Sequence, residues 1–146
     1  MVISEIYTLK EIRAVLDECK SDIFSASLNK NEIFDRLAFK YYENGIVLKV
    51  QYKNKIVGFA AFYANDFVNM TAFISMIILK KSFQGKGIGS ILLEKIIDRS
   101  VYQNMNQLRL EVNNNNFSAI GFYKKHGFKP AGPASEISSY MVKSLF

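Results

Sequence analysis

The 146-residue chain has no tryptophan, one cysteine, one histidine and two prolines. With Cys19 alone, no intramolecular disulfide can form, and a reducing compartment is expected. A lone cysteine on an amphipathic segment is expected to be buried and inert. His126, in "KKHGF", has no metal-ligand partner near it in sequence and reads as a surface residue, so no metal is called for. Pro130 and Pro133 both lie near the end, and neither repeats nor low-complexity tracts interrupt the chain, so one domain over 1–146 is expected. The longest apolar stretches, 56–64 and 70–79, fall far short of the ~20 residues that span a bilayer. The start, "MVISEIYTLKEI", lacks the basic and apolar segments of a signal peptide. The expectation is a soluble, cytoplasmic protein with no membrane partner.

Hydrophobic residues make up 49% and charged residues 22%, a globular balance that excludes disorder. Nineteen Lys and Arg against thirteen Asp and Glu leave a formal charge of +6. Such an excess suits a phosphorylated cofactor, nucleic acid or an acidic membrane surface, without choosing among them.

Apolar spacing predicts a helix over 9–24 and a second over 31–44, with Asn31 as cap and Asn44-Gly45 as stop. The period then changes. "GIVLKVQYKNKIVGFAAFYAND" reads as two strands turning at Lys53-Asn54-Lys55, and "MTAFISMIILK" as a strand buried on both faces, hence central. Ile88, Leu92 and Ile96 form the apolar stripe of a helix running to about Arg99. "QLRLEV" alternates, with Leu108, Leu110 and Val112 opposite Arg109 and Glu111. Residues 116–127 read as a short helix stopped by Gly127, and two short strands close the chain. The order is helix, helix, three strands, helix, strand, helix, strands: an α/β fold class, mixed α+β, on one central sheet.

Between the central strand and the third helix lies "FQGKGIGS", with three glycines in five positions. Glycine at a helix entrance forfeits backbone entropy, a cost tolerated where main chain must meet a ligand, most often an anion. The spacing fails a dinucleotide fingerprint, because Ser90 stands where the third glycine belongs. It fails a phosphate-binding P-loop too, because Lys86 is followed by Gly87. What remains is Gln84-x-x-Gly87-x-Gly89. Following "AFISMIILKKSF" and leading into "ILLEKII", it resembles motif A of the GNAT family of N-acetyltransferases. "NNNNFSAIGFYKKHGF" resembles that family's second signature, and together with the hairpin before motif A the resemblance spans about residues 46 to 130.

The resemblance implies a single GNAT-type domain whose mixed sheet splays between its fourth and fifth strands, flanked by helices. It implies acetyl-CoA as co-substrate, its pyrophosphate held by main-chain amides of Gln84, Gly85, Lys86, Gly87, Ile88, Gly89 and Ser90 with help from the helix dipole. Gly87 and Gly89 are then bare so that backbone and phosphate can meet, and Lys86 supplies charge or is merely solvated. The pantetheine arm would pair with the backbone of Ile77, Ile78 and Leu79. Asn116 matches the asparagine that bonds the arm, though it can equally cap its helix. Tyr123 matches the family's general acid, aimed at the cofactor sulfur; the plain alternative is a packed core ring, the role expected of Phe122. Many relatives carry a carboxylate as base where this chain has Ser75 and Met76. That departure removes the commonest base. The resemblance implies Glu111 as its replacement, since some relatives use a glutamate at the corresponding place in "LEV"; the plain alternative is an exposed carboxylate paired with Arg109 or a lysine.

The implied reaction is direct acetyl transfer to a primary amine of a small molecule. The acceptor pocket would draw on "SLNKNEIFDRL" (27–37) and "FYAND" (62–66). Asn65-Asp66 resembles a subgroup tied to surface-polysaccharide genes, which suggests an amino sugar, but Asn-Asp is also a common turn. Alternatives are a protein or peptide amine, or an acetyl-CoA-binding module with reduced catalysis. Nucleic-acid binding through Lys80, Lys81, Lys86, Lys124, Lys125 and Lys129 is set aside, because a phosphorylated cofactor explains the cluster and no aromatic platform accompanies it. A monomer or homodimer is expected.

Overall fold

The structure, a computed structural model, describes residues 1–23 and 30–146. Its elements in chain order are β1 (Val2–Ile6), α1 (Leu9–Glu18), α2 (Lys30–Asn44), β2 (Ile46–Tyr52), β3 (Lys55–Asp66), β4 (Thr71–Leu79), α3 (Ile88–Tyr102), β5 (Gln107–Asn113), α4 (Phe117–Lys125), β6 (Lys129–Pro133) and β7 (Ser138–Ser144). The strands form one seven-stranded sheet in the order β1-β2-β3-β4-β5-β7-β6. Every pairing is antiparallel except β4 with β5, so the sheet is mixed, as expected.

Strand periodicity assigns each helix its face. In β2 and β3, Val47, Phe59 and Ala61 face the stripe of α1 (Ile12, Val15, Leu16) and of α2 (Phe34, Ala38, Tyr41). Val50, Ala60 and Phe62 face the other way, onto Leu92, Leu93 and Ile96 of α3, with Leu108 and Leu110 of β5 in the same core. Thr8 caps α1 by accepting from the Glu11 amide at 3.1 Å, while its hydroxyl donates to the Glu11 carboxylate at 2.9 Å. Lys53 and Asn54 both have positive φ, the conformation that a two-residue hairpin requires, so the expected turn is there.

Three expectations need correction. Val2–Ile6 is a strand: only Ile6 of its five residues is buried, so no alternation announces it. It is held by pairing with β2 and by Arg99, whose Nε donates to Glu5 at 2.9 Å. Counting β1 makes β4 the fourth strand. Second, α1 ends at Glu18, and residues 19–23 continue as turns; Cys19 and Ile23 stay buried in the same cluster, so the apolar spacing outlasts the helix, while residue 24 lies outside the described residues. Third, α2 begins at Lys30, which places Asn31 inside the helix rather than at its cap; the stop at Gly45 holds, its amide bonding Tyr41 O at 2.8 Å.

Two irregularities of β4 shape the region that follows. Ala61 pairs with Met76 but Phe62 with Ile74, which leaves Ser75 as an extra residue in a bulge. The parallel register with β5 runs from Thr71↔Gln107 to Ile74↔Leu110 and stops, so from Ser75 to Leu79 the β5-facing edge of β4 has no strand partner. The sheet is splayed between its fourth and fifth strands. The expectation of a strand buried on both faces is therefore corrected too: only Ala72 and Ile74, on one face, are fully buried, and Thr71, Phe73 and residues 75–79 are half-buried. Gly58 lets β3 lie close against this open half, since a Cβ there would stand 2.5 Å from Ile78 O.

Candidate active site

After Leu79 the chain makes one 3-10 turn (Lys81–Phe83) and enters the glycine loop. Gln84 Nε2 donates to Leu79 O at 2.9 Å, which ties the loop back to the end of β4. Gly87 sits at φ +83 as the cap residue of α3, and a Cβ there would meet nothing within 4 Å. Its bareness thus has a conformational cause, beside the open space in front of it. No side chain caps the first amides of α3, and its first turn has no acidic residue. Those amides and the positive end of the helix dipole suit an anion.

The loop forms one wall of a cleft of about 500 Å³. Ile77, Leu79, Gln84, Gly85, Gly87, Gly89 and Ser90 line it from the β4–α3 side. Asn116, Ser118, Ala119, Phe122, Tyr123 and Lys125 line it from α4. Two sequence signatures some thirty residues apart thus meet across one space. Three expected residues do not line it. Ile78 points to the α1–α2 face by strand alternation, Ile88 is buried under α3, and the Lys86 ammonium lies over the Phe83 ring at 5.8 Å. For Ile78, Lys86 and Ile88, any part in holding a cofactor falls to backbone, not to side chain. Phe122 packs half-buried against the core and also lines the cleft, beside the position a Gly89 Cβ would take. Ser118, Phe122 and Lys125 are spaced i, i+4 and i+7, so the α4 face they share was readable once Asn116 and Tyr123 were chosen.

Asn116 serves as the N-cap of α4, its Oδ1 accepting from the Ala119 amide at 3.2 Å, while also lining the cleft. Tyr123 is wedged between Phe122 and Phe128, with both ring centroids 5.3 Å away. Burial pushes its phenol up to about 12, with no hydrogen bond offsetting it. The hydroxyl therefore stays protonated at neutral pH.

Further along β4 a second hollow opens, about 410 Å³, lined by Phe73, Ile74 and Ser75 on one side and by Glu111, Asn113, Ser135, Ile137 and Ser138 on the other. Glu111 is not paired with Arg109. Its Oε2 accepts from Ser138 Oγ at 2.6 Å, while the Arg109 guanidinium lies over the Tyr140 ring at 5.1 Å. Ser75 shares a 2.6 Å hydrogen bond with the hydroxyl of Tyr41, a buried residue of α2 whose phenol burial also raises to about 12. The two hollows follow one another along β4, where Ser75 lines one and Ile77, two residues on, lines the other.

The remaining candidates lie elsewhere. Asp66 accepts from the amide and side chain of Asn69 at 3.0 and 3.1 Å, so it builds the β3–β4 turn, and Asn65 bonds Asn44 O at 3.3 Å. Neither lines either hollow. Of the stretch 27–37, residues 27–29 lie outside the described residues. Cys19 is fully buried, and burial pushes its thiol up to about 11, which makes it inert as an acyl carrier. His126 is corrected from a free surface residue: it is half-buried, with Nε2 2.9 Å from Ser90 Oγ and its ring 4.7 Å from that of Phe122. No helix of the described residues is long and apolar enough to cross a membrane.

Comparisons with known proteins agree with this geometry. A model of the acetyltransferase (GNAT) family matches residues 9–128. The chain is 25% identical over 152 residues to a spermine/spermidine N(1)-acetyltransferase of Bacillus subtilis, covering 92% of this chain and 97% of that protein. In fold it is similar to the ribosomal-protein-S18-alanine N-acetyltransferase of Escherichia coli, with TM-score 0.77 and 21% identity over 99% of this chain and 93% of the other. It is similar as well to the PaiA N-acetyltransferase of Thermoplasma acidophilum, solved in complex with coenzyme A, with TM-score 0.69 and 19% identity over 99% of each chain.

Proposed function

The chain belongs to the acetyltransferase (GNAT) family, an N-acetyltransferase with acetyl-CoA as co-substrate, and from that footing we propose that it acetylates the primary amine of a small, hydroxyl-bearing molecule such as an amino sugar. The observation that carries this reading is the placement of two hollows side by side along β4 at its splay, one walled by the glycine loop and the other polar. The diphosphate lies on the amides of residues 84–90, and the pantetheine arm runs along the unpartnered edge of β4 past Asn116. That places the thioester toward Ser75, where the second hollow brings the acceptor.

The thioester is already activated, so the amine nitrogen attacks its carbonyl carbon directly. One ammonium proton passes first to Glu111, directly or through water. The C–N bond then forms, the C–S bond breaks, the sulfur leaves as thiolate beside the Tyr123 hydroxyl, and the nitrogen's second proton goes to that thiolate or to solvent. The second hollow holds one carboxylate, Glu111, among the side chains of Asn113, Ser135 and Ser138. One carboxylate matches one ammonium, and hydroxyls and an amide match hydroxyls. A polyamine would call for several carboxylates, and the formal charge of +6 disfavours a polycation.

Thiol release from acetyl-CoA tests this against a panel of amino sugars, polyamines and peptides with a free N-terminal alanine. The highest kcat/KM is expected for an amino sugar. A preference for spermine or a peptide would overturn the acceptor class, and no amine-dependent release would overturn catalysis itself.

The glycine loop has its own test. Gly87→Val places a branched side chain at φ +83, a strain of about 1–2 kcal/mol, and fills the space in front of the amides. Because hydrogen bonds to charged groups contribute about 1.5–3 kcal/mol each, acetyl-CoA affinity should fall at least about tenfold. Calorimetric titration checks it, with circular dichroism confirming the fold; a folded variant that binds like wild type would contradict the assignment.

A further inference from the structure

Ser90 and His126 come from different elements and meet at the edge of the cleft. Ser90 is the third residue of α3 and lines the cleft; His126 closes the C-terminal end of α4. The imidazole is fixed in place. Its backbone amide bonds Phe122 O and Tyr123 O at 3.2 and 3.1 Å, its ring rests 4.7 Å from the Phe122 ring, and Gly127 at φ +89 turns the chain immediately after it. From there Nε2 reaches Ser90 Oγ at 2.9 Å. A serine on a helix commonly bonds back to its own turn, as Ser100 does on this same helix, donating to Ile96 O at 2.7 Å. Ser90 is bonded across the cleft edge instead.

A hydroxyl has one proton to give and lone pairs to receive with, whereas a phosphate oxygen only accepts. If Ser90 donates to the imidazole, its proton is spent and a lone pair faces the anion, which repels it. If Nε2–H donates to Oγ, the serine proton is free for a phosphate oxygen. We propose that His126 is a positioning residue for the cofactor's diphosphate: its Nε2–H holds the Ser90 hydroxyl so that the hydroxyl proton points into the glycine-loop cleft. The inference rests on the assignment of that cleft to acetyl-CoA. It adds a side-chain donor, set by a residue outside the loop, to the main-chain amides. Lys125, the neighbour of His126 on α4, lines the same cleft, so the end of α4 supplies positive charge on the side opposite the loop.

His126 is the only histidine in the chain, so its ring nitrogens give one unambiguous pair of nitrogen-15 resonances. Two measurements test the proposal on the intact chain. In the complex with coenzyme A, Nε2 is expected to carry a proton. In binding titrations, His126→Ala and Ser90→Ala should each weaken coenzyme A about tenfold, the size of a lost hydrogen bond to a charged group, and together should cost little more than either alone. Pantetheine, which lacks the diphosphate, should bind all variants like wild type, and His126→Gln, whose amide can donate from a similar place, should recover most of the loss. A bare Nε2 in the complex overturns the inference, as does coenzyme A affinity unchanged in a folded His126→Ala. Equal weakening of coenzyme A and pantetheine would mark a structural role and overturn it as well. These results leave the cofactor cleft standing. If wild type binds coenzyme A no better than pantetheine, the cleft assignment fails and the inference falls with it.

Discussion

Tyr123→Phe is expected to lower the rate of the chemical step about 10²-fold while leaving acetyl-CoA affinity nearly unchanged. The ring keeps its contacts with Phe122 and Phe128, so only the hydroxyl is lost. The size of the effect follows from burial. With the phenol at about 12 and an ordinary thiol at about 8.5, full proton transfer from Tyr123 to the departing thiolate runs uphill. Tyr123 is therefore expected to act as a hydrogen-bond donor to developing charge on sulfur, with the final proton supplied by solvent or by the second proton that the nitrogen sheds as the amide forms. A full proton donor matched to the leaving group would be worth more, toward the upper end of about 10²–10⁴-fold. Single-turnover kinetics distinguish the two, and an unchanged rate would mean that the hydroxyl takes no part. The same burial has a second readout. A folded-state value above the unfolded one, for Tyr41 and Tyr123 alike, gives stability that is complete below about pH 10 and declines as the pH rises toward about 12.

Glu111→Gln is expected to reduce turnover about 10²-fold near neutral pH, with partial recovery at higher pH. A primary amine with a pKa above neutral, about 10.4 for a lysine side chain and lower beside the oxygens of an amino sugar, arrives largely as ammonium at neutral pH, and a base must take its proton before attack. At alkaline pH more of the amine arrives already free. Gln keeps the size of the side chain, and its oxygen still accepts from Ser138. Loss of stability should stay below about 1 kcal/mol, because the exposed residue loses charge but not its hydrogen bond. The measurement is a pH–rate profile of both proteins at saturating acetyl-CoA. Profiles that run parallel would remove Glu111 from the proton path.

The parts of this site that were legible in the sequence are those where local backbone and chemistry coincide. The glycine loop, Asn116 and Tyr123 lie on short segments whose spacing carries its own meaning, and the structure brings them to one cleft. Ser118 and Ala119 carry no signal of their own because their types are common; only their place on the α4 face makes them cleft residues. Contacts between distant segments were out of reach. Ser138 bonds Glu111 from 27 residues away and Ser90 meets His126 across 36, so neither partner could be named from spacing. The bulge at Ser75 depends on the register between β3 and β4, which alternation alone does not set. Strand β1 escaped notice because, at the edge of the sheet, just one of its five residues is buried. The helix expected over 9–24 was overextended for the opposite reason, since Cys19 and Ile23 keep the apolar rhythm after the backbone has left the helix.

The central claim is that acetyl-CoA occupies the cleft between the glycine loop and α4, with its arm along the free edge of β4. Amide chemical shifts of the nitrogen-15-labelled chain, followed during titration with coenzyme A, test it most directly. The account predicts that the largest shifts fall on residues 84–90 and 77–79, with smaller ones near Asn116 and Tyr123. Saturable binding that leaves the amides of Gly87, Gly89 and Ser90 unmoved would contradict it.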